Sequence, residues 1–161
     1  MTLKCSENRR TAFFADSFNP FTCGHLDILE RGLKIFDEIV VGVGYNAQKS
    51  NASDEDIERR LSHIRSVVGD NPRVKVVAYG DLTVEAARCY GATALLRGIR
   101  SVSDFDYESR MADINRQISG IETVLLIADG RWASLSSSMV RELEHYGCDV
   151  SQYIPGEGAL K

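Results

Sequence analysis

The strongest constraint on this chain is an alternation. Five short apolar runs, Ala12–Ala15, Ile39–Val43, Val74–Ala78, Ala94–Leu96 and Thr123–Ile127, are separated by stretches whose apolar residues recur at helical spacing. The runs are β-branched or aliphatic with little polar alternation, the pattern of strands covered on both faces. Between them, Leu26, Leu29, Leu33 and Phe36 share one helical face, and Ile57, Leu61, Ile64 and Val68 share another. A shorter helix is predicted from about Leu82 to Tyr90, stopped by Gly91. Tyr107, Met111, Ile114 and Ile118 mark a fourth, and Val140 and Leu143 a fifth that opens at Ser136, Ser137 and Ser138, good N-cap residues. Strands alternating with helices predict an α/β fold, a single-domain doubly wound five-stranded parallel sheet. The 161 residues form one such domain, with residues 1–10 as a short N-terminal extension. In folds of this kind ligands bind beyond the carboxyl ends of the strands. The chemistry is therefore expected just after Ala15, Val43, Ala78, Leu96 and Ile127.

Charge and cysteine usage remove several function classes. The formal net charge is −4, with no run of Lys or Arg, which argues against a nucleic-acid binder. Cys5, Cys23, Cys89 and Cys148 are widely spaced and form no C-x-x-C pair, so zinc and thioredoxin-like readings are weak and a reducing compartment is favoured. No apolar run reaches membrane-spanning length and the N-terminus has no apolar signal core, so a cytoplasmic location with no membrane partner is expected.

The polar segments at the predicted strand ends carry the chemistry. The first reads A-D-S-F-N-P-F-T-C-G-H, from Ala15 to His25, and runs directly into a helix. His25 then lies near a helix N-terminus, where free N–H groups and the macrodipole favour anions, and Ser17 adds a hydroxyl. The plainer reading is a strand–turn–helix with a capping histidine. Neither G-x-G-x-x-G nor G-x-x-x-x-G-K-[ST] is present, which weakens dinucleotide and P-loop readings. Lys49 follows the second run and serves either as a phosphate ligand or as a solvated charge. After the fourth run, R-G-I-R (Arg97 to Arg100) could wrap an anion, or Arg97 could form a structural pair with Asp104 or Asp106. After the fifth, W-A-S-L-S-S-S (Trp132 to Ser138) offers hydroxyls and helix-start N–H groups to a triphosphate, or simply caps a helix. One phosphate site accounts for all of these clusters together.

T-C-G-H, R-G-I-R-S-V-S-D-F-D-Y-E and W-A-S-L-S-S-S-M-V-R-E resemble the phosphopantetheine adenylyltransferases, over about residues 11–155. T-x-G-H alone indicates the wider nucleotidyltransferase superfamily, and the other two segments narrow it. The resemblance implies a Rossmann-like nucleotidyltransferase fold and transfer of the adenylyl group of ATP to 4′-phosphopantetheine, in coenzyme A biosynthesis. It implies that His25 stabilises the transition state at the α-phosphate, with Lys49 as its cationic neighbour. Ser17, Lys49, Thr83 and Arg97 are implied to bind phosphopantetheine. Ser17, Phe18, His25, Gly98, Ile99, Arg100, Glu108 and the loop Trp132, Ala133, Ser134, Leu135, Ser136, Ser137 and Ser138 are implied to bind ATP. Mg²⁺ is the implied cofactor, with no protein ligand assigned, and a homohexamer the implied assembly.

The chain departs from that family's usual P-G-[ST]-F-D-P. Ala15 stands for the Pro, Asp16 for the Gly and Asn19 for the Asp. Asp16 in place of glycine is expected to cost backbone freedom if the position needs positive φ. It also places a carboxylate beside polyphosphate, where it repels unless Mg²⁺ intervenes. The alternatives are another superfamily member, a cytidylyltransferase or nicotinamide-mononucleotide adenylyltransferase, against which R-G-I-R…Y-E argues; a non-catalytic nucleotide binder; and a flavodoxin-like cofactor domain, which would need a Gly-rich first turn.

Overall fold

A computed structural model describes residues 9–45 and 53–161. Five parallel strands, β1 (Thr11–Asp16), β2 (Glu38–Gly44), β3 (Val74–Tyr79), β4 (Ala94–Ile99) and β5 (Glu122–Ile127), pair in the order β3-β2-β1-β4-β5. The chain leaves β1 outward to β2 and β3, then crosses back to build β4 and β5 on the other side. The strand order therefore reverses between β1 and β4, the place where such sheets open a crevice.

The side-chain alternation of β1 feeds two cores. Ala12 and Phe14 join Leu29 of helix α1 (Cys23–Gly32), Leu33 that caps it, and Ile57, Leu61 and Ile64 of α2 (Asp54–Val68). Phe13 and Ala15 face the other way, onto Val84, Ala86 and Ala87 of α3 (Thr83–Cys89). Phe13, Val40, Val41 and Leu96 are fully buried, as central parallel strands require. Gly42 is where the Phe13 ring lies: a Cβ there would fall 2.4 Å from Phe13 Cζ. Gly91 ends the third helix with φ 69°, as its position after the apolar period predicts.

Three expectations change. The fourth strand continues through Arg97, Gly98 and Ile99, so R-G-I-R is largely strand rather than loop. Arg97 takes neither Asp104 nor Asp106 as its main partner; Arg100 pairs with Asp104, Arg110 with Asp106, and Arg97 with Glu108. Finally, the apolar positions of α4 (Val102–Ser119) do not enter the core. Tyr107, Ile114 and Ile118 are 61%, 50% and 54% exposed, and the buried residue of that helix is Glu108. The physical reason is rotational. The bidentate bond between Glu108 and Arg97 fixes which face of α4 turns inward, and the stripe holding Tyr107, Ile114 and Ile118 is carried outward.

Candidate active site

Strand β1 ends at Asp16, and the chain turns through Ser17, Phe18, Asn19 and Pro20 before α1 begins. Phe18 has φ 45°, the one positive φ outside glycine among the described residues, and its ring is fully buried against Phe14 and Phe21. Asp16 itself is ordinary strand backbone, so the anticipated conformational cost of an aspartate there does not arise. The Asn19–Pro20 peptide bond is cis.

Donors from three other elements hold the carbonyl groups of this turn. Arg97 of β4 donates to the Ala15 carbonyl. Arg60 of α2 donates to that of Ser17 at 3.3 Å. From α5 (Ser137–His145), Arg141 donates to Asn19 and the Ser137 hydroxyl to Pro20 at 2.8 Å. The turn is thus braced by both halves of the sheet.

His25 occupies the third position of α1 in a capping box. The His25 N–H donates to Thr22 Oγ1 at 3.4 Å, and the Thr22 N–H donates to His25 Nδ1 at 3.0 Å. An Nδ1 that accepts a backbone N–H carries no proton, so the neutral ring is protonated on Nε2. Nε2 lies 3.8 Å from Asp16 Oδ2. Burial holds the imidazole below its ordinary pKa, Asp16 works against this, and Arg97 and Arg100 reinforce it. His25 is therefore a neutral hydrogen-bond donor near pH 7.

Arg97 anchors the opposite wall. Its Nε and Nη2 donate to Glu108 at 3.0 and 2.7 Å, and Nη1 lies 3.9 Å from Asp16 Oδ2. Burial opposes its charge, but the Glu108 hydrogen bonds and the Asp16 and Glu108 charges prevail, so the guanidinium titrates above its ordinary range. At Asp16, burial opposes ionisation, and His25, Arg97 and the Ser17 amide more than offset it, so the carboxyl titrates below its ordinary range.

Two clefts meet at this point. The first, about 270 Å³, runs from Asp16 and His25 past Gly98 and Arg100 to Trp132 and the start of α5 at Ser136, Ser137 and Ser138. The second, about 240 Å³, runs from the same Asp16 past Tyr79 and Thr83 to Met111 and Asn115 of α4. Asp16, Ser17, Arg97 and Glu108 line both. Leu135 also borders the first cleft, and its carbonyl accepts from Arg100 Nη1 at 2.8 Å.

The structure thus gathers Ser17, His25, Arg97, Gly98, Arg100, Glu108, Trp132, Leu135 and the three serines at the first cleft, and Thr83 at the second. Phe18, Ile99, Ala133 and Ser134 line neither; Phe18 supports the site from below, its ring 5.0 Å from that of His25. Lys49 lies outside the described residues. Sequence reasoning missed Thr22, Arg60 and Arg141. Thr22 was legible as an N-cap with His25 three residues on, whereas a lone arginine on a helix gives no signal of an inward role.

Comparison with known proteins gives the chain's family and fold. Residues 13–143 match the family model of cytidylyltransferase-like proteins. The chain is 50% identical over 147 residues to the phosphopantetheine adenylyltransferase of Porphyromonas gingivalis, covering 91% of this chain and 95% of that protein. It is 46% identical over 146 residues to that of Bacteroides thetaiotaomicron, with the same coverage. Among solved structures, a bifunctional NMN adenylyltransferase/ADP ribose pyrophosphatase from Francisella tularensis, complexed with AMP and a Mn ion, superposes with a TM-score of 0.67 at 15% identity. That match covers 91% of this chain and 44% of the bifunctional protein, and it shows shared fold alone. With two relatives at this identity over nearly their whole length, the chain belongs to the phosphopantetheine adenylyltransferases of the cytidylyltransferase-like family.

Proposed function

We propose that the protein transfers the adenylyl group of ATP to the phosphate of 4′-phosphopantetheine, giving dephospho-coenzyme A and pyrophosphate. The observation that carries this reading is the pair of clefts with a common inner wall beneath His25. Such a wall lets the ends of two anionic substrates meet at one donor cluster. ATP takes the first cleft, with its triphosphate toward Arg100 and the serine start of α5. Phosphopantetheine takes the second, with its arm between Thr83, Met111 and Asn115.

The acceptor phosphate attacks the α-phosphorus in line, and pyrophosphate departs. A phosphate nucleophile is already anionic near neutral pH, so the protein supplies position and charge rather than a strong base. His25 Nε2–H donates to the non-bridging oxygen on which charge develops. Arg97, held by Glu108, fixes the acceptor phosphate, and Lys49, assigned by family resemblance, adds a second cation.

Among the described residues no three carboxylate, histidine or cysteine side chains converge to hold a metal. Of the carboxylates on the first cleft, Asp104 is bonded to Arg100, and Asp16 and Glu108 face Arg97. The donor set does not fit a protein-held ion. We assign Mg²⁺ to the triphosphate of ATP, which carries it in.

The assembly implied by the family resemblance, a homohexamer, is supported by the exposed Phe105, Tyr107, Ile114 and Ile118 of α4, which another copy would cover. The cytoplasm as compartment is supported by free thiols at Cys23, Cys89 and Cys148. No described helix is long and apolar enough to cross a membrane.

The deciding assay follows pyrophosphate release with ATP, Mg²⁺ and 4′-phosphopantetheine, against parallel reactions with CTP or with nicotinamide mononucleotide. Release with ATP and phosphopantetheine alone is the expected result. Release only with another pair would replace the substrates, and ATP binding without release from any pair would make the protein a nucleotide binder.

A further inference from the structure

The four groups on the inner wall best suited to hold a phosphate all converge on one side chain of the protein itself. The Ser17 N–H donates to Asp16 Oδ1 at 2.6 Å and the Ser17 hydroxyl does so at 3.4 Å. His25 Nε2 and Arg97 Nη1 lie 3.8 and 3.9 Å from Asp16 Oδ2. These are a backbone amide, a hydroxyl, an imidazole and a guanidinium, the donors by which proteins hold phosphate oxygens. The carboxylate occupies their focus, at the junction of the two clefts, and its side chain is 39% exposed to them. A glycine, the residue usual here in the family the sequence resembles, has no side chain to place there.

We propose that Asp16 is a specificity-determining residue of the adenylyl-transfer site, an internal carboxylate that competes with phosphate for Ser17, His25 and Arg97. This deepens the reading above and rests on it for the identity of the substrates. An incoming phosphate must displace the carboxylate from its donors and tolerate the like charge beside it. Small free anions have nothing else to hold them and are rejected. A phosphate carried on a long arm is instead held by the arm's contacts along the second cleft, short of that focus, and meets less of the repulsion. Asp16 thereby weights recognition toward the arm and away from the phosphate.

The test is calorimetric titration of the whole protein with inorganic phosphate, and with 4′-phosphopantetheine without ATP, for wild type, Asp16→Asn and Asp16→Gly. Asparagine keeps the Oδ1 acceptor for the Ser17 amide and removes only the charge, whereas glycine empties the site. Thermal unfolding confirms that each variant is folded. Both variants should bind inorganic phosphate about tenfold or more tighter than wild type, and 4′-phosphopantetheine tighter by a smaller factor, so that discrimination against free phosphate shrinks. Phosphate affinity that is unchanged or weaker in both folded variants overturns the proposal. So does an equal gain for the two ligands, which would leave Asp16 no part in selecting between them. Phosphate binding needs no turnover, so the two readings fail separately. Tighter phosphate in variants of a protein inactive with phosphopantetheine would keep this inference and remove the substrates. Turnover with unmoved phosphate affinity would do the reverse.

Discussion

At His25 the Thr22 amide consumes the Nδ1 lone pair and leaves one proton, on Nε2, directed toward Asp16. The imidazole can thus donate to a phosphate oxygen while uncharged. Replacing it with alanine removes that donor, and losing one such donor typically lowers turnover by ~10²–10³. Steady-state assays of His25→Ala should show that loss in kcat, with the fold retained; wild-type turnover would remove His25 from the mechanism. The same burial gives a pH prediction. An unfolded chain binds a proton at an ordinary histidine near pH 6.5, whereas folded His25, with its lowered pKa, does not. Its contribution to stability is complete above that pH and is lost as the pH falls below it. Melting temperature should therefore drop between about pH 7 and pH 5, and His25→Asn should flatten that slope. An identical slope in the variant would locate the acid sensitivity elsewhere. Asp16, with its own lowered pKa, adds a loss of the same sign at more acidic pH.

At the scale of elements, the site depends on how closely α1 lies on β4. A Cβ on Gly98 would sit 2.9 Å from Ile28 Cγ1, one helical turn beyond His25. Gly98→Ala must push α1 away, and overpacking of this kind costs ~1–3 kcal/mol. The variant should melt lower and turn over more slowly at saturating substrates, because the displaced helix carries the imidazole. A variant with both quantities unchanged would show that the Ile28 side chain repacks without moving α1. These contacts also explain which elements were legible beforehand. The five strands were, because each is an apolar run, although burial on both faces holds for the central β1 and β2 and not for the edge strands β3 and β5, which are only partly covered. The ends were less so: Arg97 and Gly98 look like loop residues, and Glu108 reaching up from α4, with the Ala15 carbonyl and Asp16, lets an arginine continue the strand. For the same reason the apolar spacing on α4 announced a helix without telling which of its faces turns inward. The T-x-G-H turn announced the site, but the arginines bracing it could not be found from spacing. Arg60 and Arg141 come from helices far along the chain and reach the turn through tertiary contacts alone.

For the whole molecule, the proposed assembly rests on the exposed apolar residues of α4. Ile114 and Ile118 lie on the helix that also supplies Met111 and Asn115 to the second cleft. The double variant Ile114→Glu, Ile118→Glu should reduce the mass measured by analytical ultracentrifugation without abolishing cooperative unfolding, since neither side chain belongs to the buried core. An unchanged mass would shift the interface to another face. If α4 serves both the proposed interface and the proposed phosphopantetheine cleft, loss of assembly should also raise the KM for phosphopantetheine more than that for ATP.

The shared wall has an evolutionary consequence. Asp16, Ser17, Arg97 and Glu108 belong to both clefts, so under the proposed placement a substitution at any of them would alter the fit of both substrates together. Drift there is penalised twice. The outer ends carry no such linkage: Trp132 and Leu135 border only the first cleft, and Met111 and Asn115 only the second. A lineage could therefore exchange its nucleotide or its acceptor by changing one outer end while the inner wall stays fixed. Descendants of this scaffold should diverge from the rims inward, Asp16 in place of the family's usual glycine being a change that bears on both clefts at once.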